Sequence, residues 1–153
     1  MGVLTYIPAT GYTDAAEVTL TRIAEFLRVL SDESRLTMLW LLSTEKELCV
    51  CDLTEALGVT QSKASRHLAT LRHAGLVSDR RVGTWSYYSM RQPEGQTEGV
   101  VLSALLAGLG QVPAAKQARQ KLKVSKNGRC RDVSEHDRRR NTAGTRNAIG
   151  RGM

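Results

Sequence analysis

What this chain lacks narrows its class quickly. No uninterrupted apolar stretch approaches the ~20 residues that a membrane span requires, and no basic segment followed by an apolar block stands at its start. The expectation is a protein of the cytoplasm with no membrane partner. Cysteine is scarce: there are three, an odd number, with Cys49 and Cys51 one residue apart and none in the first 48 residues. Such a count does not suit an extracellular disulfide framework and points instead to reduced thiols free to take a ligand. Catalytic signatures are missing too. There is no glycine-rich nucleotide loop and no pair of carboxylates with a pocket signature. A reductase or phosphatase loop of the Cys-x5-Arg type needs arginine six residues after its cysteine, where Glu55, Leu57 and His136 stand. The chain is therefore expected not to be an enzyme.

What is present is an uneven charge. Residues 114–153 hold twelve Lys and Arg against three Asp and Glu, a net of +9, whereas residues 1–113 hold ten against twelve, a net of −2. Within the nearly neutral body, residues 56–93 gather Lys63, Arg66, Arg72, Arg80, Arg81 and Arg91 against Asp79 alone. A cationic surface hidden in a neutral average is the footprint of a nucleic-acid contact. The length suits one domain with a tail. The expected division is an N-terminal arm over 1–14, a domain over 15–112, and a basic, disordered tail over 113–153. From Val124 onward the tail is too poor in large apolar residues to offset the entropy of ordering.

Hydrophobic spacing and capping residues place the elements. Val18, Ile23, Phe26, Leu27 and Leu30 recur at helical spacing over 15–30, and a second helix is expected over 32–42 with Ser31 as its N-cap. Asp52 and Glu55 form a capping pattern for a short third helix ending at Gly58, with Cys51 immediately before the cap. Thr60 caps a fourth helix over 61–74, closed by Gly75. Two short helices joined by a glycine-containing turn make a helix-turn-helix. Two strands over 77–81 and 85–89 around Gly83 make a wing. A last helix over 98–109 gathers Val101, Leu102, Leu105, Leu106 and Leu109 on one side, which with the first helix forms a candidate dimer interface. The fold class is thus mainly α with a small β-hairpin, a winged helix-turn-helix homodimer.

At 100° per residue, Ala64, Leu68 and Leu71 form the buried stripe of the fourth helix, and Ser62, Arg66, Ala69 and His73 face away from it. A helix laid in a major groove reaches base edges with its N-terminal residues, where Arg and Lys suit guanine and Ser and Thr are permissive. The candidate DNA residues are Gln61, Ser62, Lys63, Ser65, Arg66 and His67 on this helix, with Arg80 and Arg81 reaching phosphates from the hairpin. His67 lies nearer the buried stripe, either packed or facing phosphate. A solvated helix face and a solvated edge strand are the blander alternatives.

The segments Leu30-Ser31-Asp32-Glu33-Ser34-Arg35-Leu36, Glu47-Leu48-Cys49-Val50-Cys51-Asp52-Leu53, Ser65-Arg66-His67-Leu68, Leu71-Arg72-His73-Ala74-Gly75-Leu76-Val77 and Gly83-Thr84-Trp85 resemble the ArsR/SmtB family of metal-sensing repressors, most closely its arsenic-responsive branch. The resemblance covers about residues 17–110. It implies a homodimer that binds double-stranded operator DNA, represses an arsenic-resistance operon and leaves DNA when the inducer As(III), or alternatively Sb(III), binds cysteine thiolates; no permanent cofactor is implied. Thiolate chemistry agrees, since soft sulfur selects soft ions. Cys51, immediately before the expected cap, is also expected to have a lowered pKa, as a thiol near a helix N-terminus. Cys49 and Cys51 share one face of an extended segment but not of a regular helix, so joint coordination requires distortion at the start of the third helix, which would shift the fourth.

In one point the chain departs from a familiar form of the family, which carries a third cysteine three residues after the second; here Thr54 stands there. Cys130 is the candidate third metal ligand beside Cys49 and Cys51, the alternatives being solvent, a small thiol, or an idle Cys130. A thiol-redox switch would have to close a strained Cys-x-Cys ring. A Cd(II) or Pb(II) sensor would need further thiols, and a Zn(II) sensor would need His and carboxylate pairs that the last helix lacks.

Overall fold

The computed structural model describes residues 20–126. The expected arm over 1–14 and residues 127–153, Cys130 among them, lie outside this range. Six helices and a three-stranded antiparallel sheet follow in the order α1 (Leu20–Leu30), α2 (Glu33–Thr44), β1 (Leu48–Cys49), α3 (Val50–Leu57), α4 (Gln61–His73), β2 (Val77–Val82), β3 (Trp85–Met90), α5 (Gln96–Leu109) and α6 (Pro113–Lys126). The sheet order is β1-β3-β2.

Helix α2 is the hub. Met38, Leu39, Trp40, Leu41 and Leu42 are buried in succession, so the helix is surrounded rather than one-sided. Its N-cap is Asp32, whose carboxylate accepts from the Arg35 N–H at 3.0 Å. Ser31, the expected cap, instead closes α1, donating its hydroxyl to the Arg28 carbonyl at 2.8 Å. The Arg35 guanidinium reaches back to the Val29 and Arg28 carbonyls, satisfying acceptors that the end of α1 leaves open.

The helix-turn-helix forms where expected. Gly58, at φ 67°, closes α3 in the left-handed conformation that glycine adopts without strain. Thr60 caps α4 by accepting from the Lys63 N–H at 3.3 Å. Ala64, Leu68 and Leu71 have no exposed surface. The wing strands pair from Val77↔Met90 to Val82↔Trp85, leaving a two-residue turn at Gly83 and Thr84. Beyond Val77 every β2 residue is half-buried or exposed, so the hairpin projects from the body.

Three features differ from the sequence expectations. A two-residue strand, β1, joins the wing by pairing Leu48↔Tyr88 and Cys49↔Tyr87. Helix α3 starts three residues early, so Cys49 is its N-cap and Cys51 lies within the first turn rather than ahead of it. The third difference is α6. Residues 113–126 form a helix whose Ala115, Ala118, Leu122 and Ser125 are buried, not a disordered tail. Proline at the first helical position and a narrow stripe spaced 3, 4 and 3 residues apart specify it. The basic residues between hid that stripe from a reading based on average composition. Helix α5 meets α6 at 79°. Among the described residues no single helix is long and apolar enough to cross a membrane.

Candidate functional site

Two surfaces carry chemistry. The first is the outer face of α4, where Gln61, Ser62, Lys63, Ser65 and Arg66 are all exposed. Beside it a cleft of about 350 Å³ is lined by Arg35, Lys63, Arg66, His67 and Thr70. Three permanent cations around one opening suit a phosphate. His67 adopts the packed orientation: its side chain is 13% exposed, and Nδ1 stands 3.7 Å from the Asp32 carboxylate at the mouth of α2. Partial burial pushes the Asp32 pKa upward, but the Arg35 N–H and the charges of His67 and Arg35 outweigh it, and the carboxyl is held below its ordinary value.

The wing arginines divide. Arg81 is exposed on the hairpin. Arg80 is held by Glu47, with Nε 3.0 Å and Nη2 2.8 Å from the two carboxylate oxygens, and its guanidinium lies over the Tyr87 ring at 5.4 Å. This bidentate pair holds Glu47 below the usual carboxylate range. No sequence signal linked the two residues, which lie 33 positions apart. Arg72 bridges α4 to β2 through Asp79 at 3.2 Å, tying the wing to α4.

The second surface is the start of α3. Cys49 Sγ accepts from the Asp52 N–H at 3.3 Å, while Asp52 Oδ2 accepts from the Cys49 N–H at 3.1 Å. A thiol thus performs the capping role usually given to Ser, Thr or Asp, in a reciprocal box. Burial is the largest influence on this thiol. With the neighbouring Asp52 carboxylate and Cys51 it pushes the pKa to about 12, against the Asp52 N–H that lowers it. The Cys49 thiol is held up in this way because its sulfur is half-buried and faces a carboxylate. Cys51 is half-buried on the same helix, one turn before Glu55. Both thiols are free cysteines, and among the described residues no group of three His, Cys, Asp or Glu could hold a metal ion. Two thiols, each a soft donor, thus stand at one helix end.

Residues 32–79, spanning α2 to the first wing strand, match the family model described as "Bacterial regulatory protein, arsR family". The arsenical resistance operon repressor of Bacillus subtilis is 41% identical over 75 residues, which cover 49% of this chain and 71% of that one. The chain belongs to the arsR family. Another arsR-family relative, the arsenic resistance transcriptional regulator ArsR1 of Pseudomonas putida, is 52% identical over 63 residues, 41% of this chain and 49% of that one. This arsR-family chain therefore matches about half the length of that relative. Among solved structures, HlyU from Vibrio cholerae superposes with a TM-score of 0.51 at 28% identity, covering 60% of this chain and 95% of that one. The family is one of DNA-binding transcriptional regulators with a winged helix-turn-helix, not of enzymes.

Proposed function

We propose that this arsR-family chain is an arsenite-responsive repressor: a homodimer that holds double-stranded operator DNA through α4 and the wing, and lets go when As(III) binds Cys49 and Cys51. The observation that carries this reading is the double duty of Cys49. Its sulfur caps α3 and its backbone ends β1, so a ligand on that sulfur acts at once on the helix-turn-helix and on the wing. The named roles of the relatives in arsenic resistance support the choice of ion.

The chemistry balances without a redox step. Each thiol gives its proton to one hydroxide of arsenous acid, which leaves as water while a sulfur–arsenic bond forms. Cys49 must turn from the Asp52 N–H, and Cys51, on a different helical face, must swing toward it. The first turn of α3 then loses its side-chain cap. Because α3 packs on α4, that loss reaches the DNA-reading face. Linkage requires that As(III) weaken DNA binding by the factor by which DNA weakens As(III) binding.

Dimerisation is assigned to α1 and α5, which lie side by side and leave Leu27, Val100 and Leu105 substantially exposed. Large apolar side chains left exposed on two neighbouring helices support a partner surface there. The test is fluorescence anisotropy with an operator fragment, titrated with arsenite, on the wild type and on Cys49→Ser/Cys51→Ser. Serine retains a capping oxygen at position 49, so the double variant keeps the fold while losing both sulfurs. Arsenite-dependent release in the wild type alone is expected. Release from both proteins, or from neither, overturns the reading.

A further inference from the structure

Helix α6 lies along the seam between α2 and α3. Near its start it borders a cleft of about 250 Å³, shared by Ser34 and Thr37 of α2, Leu57 of α3 and its own Ala114 and Gln117. Halfway along, the Arg119 guanidinium stands 6.0 Å from the centre of the Trp40 ring of α2. At its end it grips both neighbours. Ser125 Oγ donates to the Glu55 carboxylate of α3 at 2.7 Å, and Lys126 Nζ pairs at 2.8 Å with Glu45, the C-cap of α2. Ser125 is buried and Leu122 has no exposed surface, so the grip comes from a docked helix. A hydroxyl donating to a carboxylate makes a short, charge-assisted bond.

Glu55 also stands four residues after Cys51 on α3, and therefore on the same face one turn further on. The helix that carries the thiols is thus tied, through Glu55, to a partner that is itself tied to α2. We propose that α6 is a strap that holds α3 against α2 and so sets the arsenite concentration at which the chain releases DNA. The proposal rests on the arsenite-responsive reading above and concerns the regulation of that same site. Drawing Cys49 and Cys51 onto one arsenic requires the start of α3 to distort. A strap fixed at Glu55 opposes the distortion, so the ligand-competent arrangement is a minor state and the apparent affinity for arsenite falls with its population. Weakening the strap raises that population without touching a sulfur or a residue of the DNA face. While the strapped arrangement remains the major one, operator affinity without arsenite stays within about twofold.

The test uses the full chain carrying Ser125→Ala/Lys126→Ala. Operator anisotropy gives the arsenite concentration of half-release, and amide hydrogen exchange read by mass spectrometry reports how firmly α3 is held. The expected result is half-release at an arsenite concentration lower by on the order of tenfold, with operator affinity unchanged and exchange across α3 faster. Lys126→Glu alone should lower the half-release concentration, and the charge-reversed pair Glu45→Lys/Lys126→Glu should return it toward the wild-type value. A wild type that responds to arsenite, beside a Ser125→Ala/Lys126→Ala variant whose half-release concentration is the same or higher, overturns the strap and leaves the repressor reading standing. A wild type indifferent to arsenite overturns the repressor reading. Unchanged α3 exchange in the variant overturns the strap in either case.

Discussion

Replacing Cys49 with alanine removes a hydrogen-bond acceptor that no neighbour can supply, because the Asp52 N–H belongs to the first turn of α3 and has no earlier helical carbonyl. Loss of a side-chain cap costs about 0.5–2 kcal/mol. The reciprocal bond from the Cys49 N–H to Asp52 survives as a backbone contact, which keeps the expected cost near 1 kcal/mol. Serine at the same position restores the acceptor, so the comparison of Cys49→Ala with Cys49→Ser separates capping from the burial of sulfur. For a domain of this size 1 kcal/mol corresponds to about 4–8 °C in Tm. Urea and thermal unfolding at one fixed protein concentration, since a dimer's stability depends on it, should place Cys49→Ser above Cys49→Ala by that margin. Equal stabilities would refute the claim that the thiol caps α3.

Other perturbations test the remaining elements. Leu122→Ala should destabilise the domain by about 2–5 kcal/mol in urea unfolding, since it opens a cavity beneath α6; a surface-like change under 0.5 kcal/mol would mean that α6 is not docked. Arg66→Ala is expected to weaken operator binding by about 1–3 kcal/mol if it pairs with a base, but equally on all DNA, with a salt slope smaller by about 0.9, if it meets a phosphate. Glu47→Gln removes the charge that holds Arg80; steeper salt dependence of DNA binding, read by anisotropy, is the expected outcome. Asp32 titrates below its ordinary value of 3.8, so its charge stabilises the fold fully above that value and ceases to do so as pH falls through the lower folded value. The stability gap between wild type and Asp32→Asn should therefore persist at pH 7 and close in acid.

The helix-turn-helix and the hairpin were legible in the sequence because local rules determine them. Thr60, Gly58, the Ala64, Leu68 and Leu71 stripe and the Gly83 turn each act within a few residues, and the helix and hairpin follow from them. The region around Cys49 depends on contacts distant in sequence. A two-residue strand has no pattern of its own and exists because Tyr87 and Tyr88 offer it an edge. Cysteine is not a residue that announces a cap, so the start of α3 was displaced toward Asp52. Helix α6 was obscured by its own lysines and arginines, which dominate its composition and say nothing of the small residues between them. His67 could be phased toward the core, but only the position of Asp32 on α2 decides what it meets.

The wing is clamped at its base and free at its tip. Leu48↔Tyr88, Cys49↔Tyr87 and the Glu47–Arg80 pair grip one end, while Gly83 and Thr84 stand at the other. Such a hairpin is a cantilever. The free arm beyond Tyr87 is about 10 Å long at 3.3 Å per residue. Tilting its root by about 10° therefore carries the tip roughly 2 Å, enough to break a hydrogen bond that tolerates only a few tenths of an ångström. On the function proposed above, a small tilt at Cys49 would therefore be amplified mechanically before it reached the hairpin tip, without the body of the protein rearranging.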